Sequence, residues 1–190
     1  MFSETQVIGI TGSIGKSSTK EVLSAVLSQR YRVTRSRKSY NNEVGLPLSV
    51  LEITPDTDIA VLEMGGAYAF GEITQLATIA QPTIGVVTNV SHSHLGRMGS
   101  LDAIAQTKTE LVEALPADGL AVLNIDDARV RAMADHASCR VVYYGIDPEA
   151  DYYATDLESR GMDGIAFTLH HGEVQSYVSV PLMGRHSVHM

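Results

Sequence analysis

The chain has 190 residues, 44% of them hydrophobic and 19% charged, with a formal net charge of −8. That composition suits one α/β domain with a full core, or such a domain with a small appendage, and excludes wholesale disorder. The negative surface excludes non-specific binding to nucleic-acid backbones or anionic membranes, although a local phosphate site remains compatible with it.

The N-terminus, Met1-Phe2-Ser3-Glu4-Thr5-Gln6, has neither the basic start nor the apolar core of a signal peptide. Val7 to Ile10 is a short apolar run before a glycine-rich turn and is predicted to be a buried strand. Val22, Leu23, Val26 and Leu27 recur at helical spacing, which predicts a helix from Lys16 to Gln29. A second strand is expected over Tyr31–Thr34, a polar loop over Arg35–Asn42, and a helix over Leu46–Leu51 with Pro47 in its first turn. Ile59 to Leu62 is another buried-strand run, ending at Glu63. Then come a helix (Gly71–Ala80), a strand (Ile84–Thr88), a His-rich loop, a helix (Leu101–Leu115), a strand (Leu120–Leu123), a helix (Asp127–His136) and a strand (Val141–Tyr144).

This alternation predicts a mainly parallel sheet with helices on both faces, over residues 1–148. Cys139, the only cysteine, precludes an internal disulfide and is expected to be a small buried residue; a reducing cytoplasm is the expected setting. After Pro148 the pattern changes. Tyr152–Leu157, Ile165–His170 and Val174–Val180 alternate polar and apolar residues between glycines, which predicts a small antiparallel meander over 149–183. Gly184 to Met190 is polar, with nothing following it to pack. No run reaches the roughly 18 apolar residues of a membrane span.

Gly12-Ser13-Ile14-Gly15-Lys16-Ser17-Ser18 is the strongest chemical signal. A strand before it and a helix after it are the context of a phosphate-binding P-loop. Glycines let backbone N–H groups face phosphate oxygens, Lys16 reaches the β- and γ-phosphates, and the Ser17 hydroxyl can ligate Mg²⁺. Ile10 stands where the usual pattern has its first glycine. Glu63 closes a buried strand at the edge where open parallel sheets bind ligands, so it is either a Mg²⁺ ligand or a solvated acid. Asn89 lies at the same edge and opens a polar loop containing His92 and His94. Each histidine by itself reads as a loop residue with a structural hydrogen bond. Lys108 reads as an exposed helix lysine, unless CO₂ addition has turned it into a carboxylate-like anion. Asn124 closes a further strand. Asp126 or Asp127 beyond it is a natural helix N-cap, with a base or ribose contact as the alternative.

Ile10-Thr11-Gly12-Ser13-Ile14-Gly15-Lys16-Ser17-Ser18-Thr19-Lys20-Glu21 resembles the P-loop of the Mur ligases. The Lys-Glu ending is most similar to the branch that adds D-alanyl-D-alanine. Asn41-Asn42-Glu43-Val44-Gly45-Leu46-Pro47-Leu48, Leu62-Glu63-Met64-Gly65, Gly71-Glu72-Ile73, His94-Leu95, Ala105 to Glu110, Leu123 to Asp127 and Gly184-Arg185-His186 agree with that branch in the same order. The resemblance covers essentially the whole chain. It implies that ATP phosphorylates the terminal carboxylate of a UDP-N-acetylmuramoyl-tripeptide and that the amine of D-alanyl-D-alanine then displaces phosphate. It also implies roles. Gly12, Ser13, Gly15, Lys16, Ser17 and Ser18 would hold the phosphates, and Ser17 and Glu63 would serve one Mg²⁺. His94 and carbamylated Lys108 would serve a second. Asn41 and Asn42 would lie near substrate or γ-phosphate, and Asn89, Asn124, Arg185 and His186 would lie on the nucleotide side. Gly96 stands where the family often has Glu, and Ser187 and Met190 where it often has Asn. The chain reads as a monomeric central ATPase domain, residues 1–190, without the family's N-terminal UDP-binding and C-terminal Rossmann-like domains. Two rivals are another Mur-type or folylpolyglutamate synthase-like ligase domain and a nucleotide-binding module without catalysis. Convergence of Glu63, His94 and Lys108 on the P-loop would favour a ligase.

Overall fold

A computed structural model describes residues 5–66, 69–93 and 95–189. Among these, nine strands form one sheet in the order β2-β3-β1-β4-β5-β6-β7-β8-β9. The strands are β1 (Gln6–Thr11), β2 (Val33–Arg35), β3 (Ile59–Glu63), β4 (Ile84–Val87), β5 (Leu120–Asn124), β6 (Arg140–Gly145), β7 (Tyr152–Ser159), β8 (Ile165–His171) and β9 (Val174–Val180). The helices are α1 (Lys16–Leu27), α2 (Gly45–Val50), α3 (Glu72–Ala80), α4 (Leu95–Met98), α5 (Leu101–Glu113) and α6 (Ala128–Ala132). No helix among the described residues is long and apolar enough to cross a membrane.

The central strands read as continuous apolar runs because both of their faces are covered. On one face Val7, Ala60 and Leu62 pack with Leu46, Ile73, Leu76 and Leu111 from α2, α3 and α5. On the other, Ile8, Ile10, Val61 and Val86 meet Leu23 and Leu27 of α1. A third cluster joins β4 and β5 to α5 and α6 through Val87, Val112, Leu123 and Val130. β1 pairs in parallel with β3 on one side and β4 on the other. The chain order therefore reverses beside β1, and the crevice at its carboxyl end is where such sheets bind ligands.

Four features depart from or add to those expectations. The core side of α1 is not simply apolar: Thr19, Lys20 and Ser24 are its buried residues, whereas Val26 is 65% exposed. The expected antiparallel meander is present as β7-β8-β9, and it continues the main sheet. β7 pairs in parallel with β6 through Tyr144–Tyr152 and Gly145–Tyr153 before turning into the antiparallel β7-β8-β9 ladder. Residues 146–151 are too short a connection for a full crossover, so the strands overlap only at their ends. The polar segment after residue 184 does find partners. Residues Arg185–His189 form a 3-10 turn, His189 Nε2 lies 2.7 Å from Asp126 Oδ2, and the Tyr144 hydroxyl donates to the His189 carbonyl at 3.3 Å. Cys139 is half-buried against the β4–β5 cluster rather than fully buried.

Candidate functional site

The loop between β1 and α1 is shaped by two glycines in the left-handed region, Gly12 (φ 143°) and Gly15 (φ 87°). A Cβ on Gly12 would fall 2.0 Å from Thr88 Oγ1, so β4 leaves no room for a side chain there. Gly15 precedes α1 and supplies no side-chain cap, so the first N–H groups of the helix stay available to an anion. The loop is fastened from β4. Asn89 accepts from the Ile14 N–H (3.0 Å) and donates to the Ile14 carbonyl (2.9 Å), and Thr88 Oγ1 donates to the same carbonyl. The Ser13 N–H donates to the Asn89 carbonyl, and Ser13 Oγ accepts from the Ser91 N–H.

Lys16 Nζ folds over the loop and donates to the Gly12 carbonyl at 2.7 Å. Burial lowers its pKa, against the opposing pull of Glu63. Ser17 and Ser18 follow in the first turn of α1. Ser17 Oγ donates to Glu63 Oε2 at 2.8 Å, and Asn41 Nδ2 donates to Glu63 Oε1 at 2.7 Å. Glu63 is 1% exposed, and its backbone N–H donates to Ser36 Oγ. Asn42 Oδ1 accepts from the N–H groups of Val44 and Gly45, which starts α2 beside the loop.

Lys108 departs from its residue-level reading: it is 3% exposed and its Nζ donates to the Gly66 carbonyl. Burial, then the positive charge of Lys16, pushes its pKa down to about 8, against the pull of Glu72 and Glu110. Glu110, two residues on, accepts from the N–H groups of Gly71 and Thr74 and so caps α3. A cleft of about 720 Å³ runs between these groups, lined by Gly12, Lys16, Asn41, Asn42, Gly66 and Lys108 among others.

Not every expected residue reaches this cleft. Asn124 is buried, donates to the Thr88 carbonyl and accepts from the Asp126 N–H, so both of its polar ends are engaged within the protein. Asp127 is the expected N-cap, accepting from Arg129 and Val130, and it also accepts from the Val90 N–H. Asp126 instead accepts from Ile146 and Asp147. Burial opposes its charge, but those N–H groups and His189 hold its carboxyl below the usual range. Arg185 and His186 are exposed on the terminal 3-10 turn, which is tied to the β5 end by the His189–Asp126 contact. His92 is exposed, and His94 lies outside the described residues. Lys20, quoted only as part of the motif, was not singled out by sequence. It is 1% exposed beside Glu63. The signal was its place one turn after Lys16, on the same helix face.

The hard oxygen donors Ser17 Oγ and Glu63 Oε2 suit Mg²⁺, which takes one or two protein oxygens and completes its shell with phosphate and water. Among the described residues no group of three or more His, Cys, Asp or Glu could hold a metal by itself.

The fold and these residues define a P-loop α/β domain with a buried carboxylate set against its phosphate loop. A family model described as the Mur ligase middle domain matches residues 10–189, and the chain belongs to that family. It is 44% identical over 182 residues to the UDP-N-acetylmuramoyl-tripeptide–D-alanyl-D-alanine ligase of Mycobacterium tuberculosis, covering 96% of this chain and 36% of that protein. The Bacillus subtilis ligase of the same name is 38% identical over 184 residues, covering 97% and 39%. Among solved structures, MurF from Acinetobacter baumannii superposes with a TM-score of 0.92 at 31% identity, covering 98% of this chain and 41% of that one. MurF ligase from Thermotoga maritima in complex with ADP gives 0.86 at 28% identity, covering 98% and 43%. The chain therefore spans 36% to 43% of the length of these four relatives.

Proposed function

We propose that this chain is the ATP-binding part of a ligase that joins D-alanyl-D-alanine to UDP-N-acetylmuramoyl-tripeptide. The observation that carries it is one cleft lined by Lys16, Asn41 and buried Lys108, with Ser17 and Asn41 both donating to the Glu63 carboxylate. Such a reaction needs a positioned triphosphate and neutralised charge more than a protein nucleophile. The substrate carboxylate oxygen attacks the γ-phosphorus and ADP leaves. The incoming amine attacks the acyl carbon, loses a proton, and inorganic phosphate departs. The loop N–H groups around Gly12, Ser13 and Gly15, with Lys16, hold the phosphates. Ser17 and Glu63 would hold Mg²⁺, which when bound neutralises phosphate charge. Asn41 orients Glu63, and Asn42 holds the start of α2 at the substrate side. Asn89 serves the nucleotide through the loop it fastens, and Arg185 and His186 serve its base and ribose.

Lys108 has a second role in this reading. Its lowered pKa leaves neutral amine available near neutral pH. That amine adds CO₂ and releases a proton, giving a carbamate anion that, with His94, would serve a second Mg²⁺. The sign of the charge beside Lys16 would then reverse.

The decisive test is a crystal structure with Mg²⁺ and a non-hydrolysable ATP analogue. The γ-phosphate is expected beside Lys16, with metal between it and Glu63. In solution, Lys16→Ala is expected to abolish ATP binding by calorimetry, and retained affinity would overturn the proposal.

A further inference from the structure

Lys20 is an almost fully buried cation that the reaction above does not use. It leaves α1 one turn after Lys16 and is 1% exposed. Its Nζ donates to the Lys38 carbonyl, lies 3.3 Å from Glu21 Oε1 and lies 4.0 Å from Glu63 Oε2. Lys38 itself is a non-glycine residue in the left-handed region, with φ 48°. That conformation costs a lysine about 1 kcal/mol or more and persists only where something holds it. The loop it belongs to runs from Ser36, whose hydroxyl accepts the Glu63 N–H, to Asn41, whose amide donates to the Glu63 carboxylate. The two ends of the loop therefore grip Glu63, and the middle is gripped by Lys20.

We propose that Lys20 is a positioning residue that ties the phosphate-loop helix, Glu63 and the 36–42 loop into one unit. Nucleotide phosphate held at one end of α1 and substrate-side Asn41 and Asn42 are then linked through one buried ammonium group. The alternative for so costly a buried charge is plain structural pairing, and the two differ in what they predict. A structural pair affects stability alone. A positioning residue also controls loop order and the use of Mg²⁺. The Mg²⁺ part of this inference rests on the function proposed above, and the loop part does not.

The test uses the 190-residue chain, Lys20→Met and Lys20→Arg. Hydrogen exchange followed by mass spectrometry reads loop order without any nucleotide. Calorimetry with ATP at several Mg²⁺ concentrations reads the metal requirement. For Lys20→Met, exchange across residues 36–42 is expected to rise about tenfold while β1 and β4 stay protected. The Mg²⁺ needed for half-maximal ATP binding is expected to rise roughly tenfold, the scale seen when the support of a metal ligand is removed. Binding of ATP without Mg²⁺ should change little. Lys20→Arg, which keeps charge and donors, should restore most of both effects.

A folded Lys20→Met with unchanged loop exchange and unchanged Mg²⁺ requirement would overturn the proposal. If Lys20→Met does not fold, Lys20→Met with Glu63→Gln is compared with Glu63→Gln alone, and loop exchange decides: higher in the double variant supports the proposal, equal sinks it. Absence of ATP binding by the unaltered chain would count against the proposed function and leave the loop result standing.

Discussion

Lys108 shows how one buried residue changes what its neighbours mean. Read from its surroundings in sequence it is a surface lysine; in the fold it is buried, its Nζ donates to the Gly66 carbonyl, and it shares a cleft with Lys16. Its folded pKa of about 8 lies below the ordinary 10.5. The unfolded chain therefore holds more protons than the folded one between those values, and stability rises with pH across that window. The penalty below about pH 8 is roughly 3 kcal/mol. In CO₂-free buffer, unfolding by denaturant at pH 7.5 and pH 10 is expected to show this rise, and Lys108→Met is expected to flatten most of it. A variant that kept the full slope would place the titration elsewhere. Lys16 is shifted in the same direction by burial and adds to the rise.

At the scale of elements, the phosphate loop is a joint between β1, α1 and β4 rather than a free turn. Asn89 substitutes for a neighbouring strand by pairing with both polar groups of Ile14. Asn89→Ala removes two hydrogen bonds at a partly exposed position. The expected loss is about 1 kcal/mol of stability, with ATP bound about tenfold more weakly because the loop must be ordered by the ligand. Chemical denaturation and calorimetry on the same variant check both. Lost stability with unchanged affinity would make Asn89 structural alone. The same logic of support from another element applies to Glu110, whose carboxylate caps α3 from α5. That contact explains why an acid stands two residues after Lys108 on a buried face.

At the scale of the whole molecule, the chain and its relatives differ in length. It covers 96% of itself but 36% of the M. tuberculosis ligase. Among the described residues the cleft is walled by the phosphate loop, the loop at Asn41 and Asn42, α3 and α5. The chain is expected to bind Mg-ATP weakly and to form no amide bond when given both substrates. Calorimetry and a coupled phosphate-release assay measure the two. Robust ligation by the chain alone would show that the cleft needs no further protein around it.

Sequence by itself determined the strand–loop–helix order, the Gly12–Ser18 phosphate loop and the strand-end positions of Glu63 and Asn89. These follow from local physics: apolar runs need two covered faces, and a loop of glycines before a helix leaves N–H groups free. Family resemblance reached the ligase class from residues alone. Tertiary structure decided the rest, because burial and partnership depend on residues far apart in the chain. It buried Lys20 and Lys108, turned Asn124 inward, and joined β7 to β6 so that the antiparallel strands extend the main sheet. It also set Glu63 against Ser17 and Asn41, residues 46 and 22 positions away, which no spacing rule reveals.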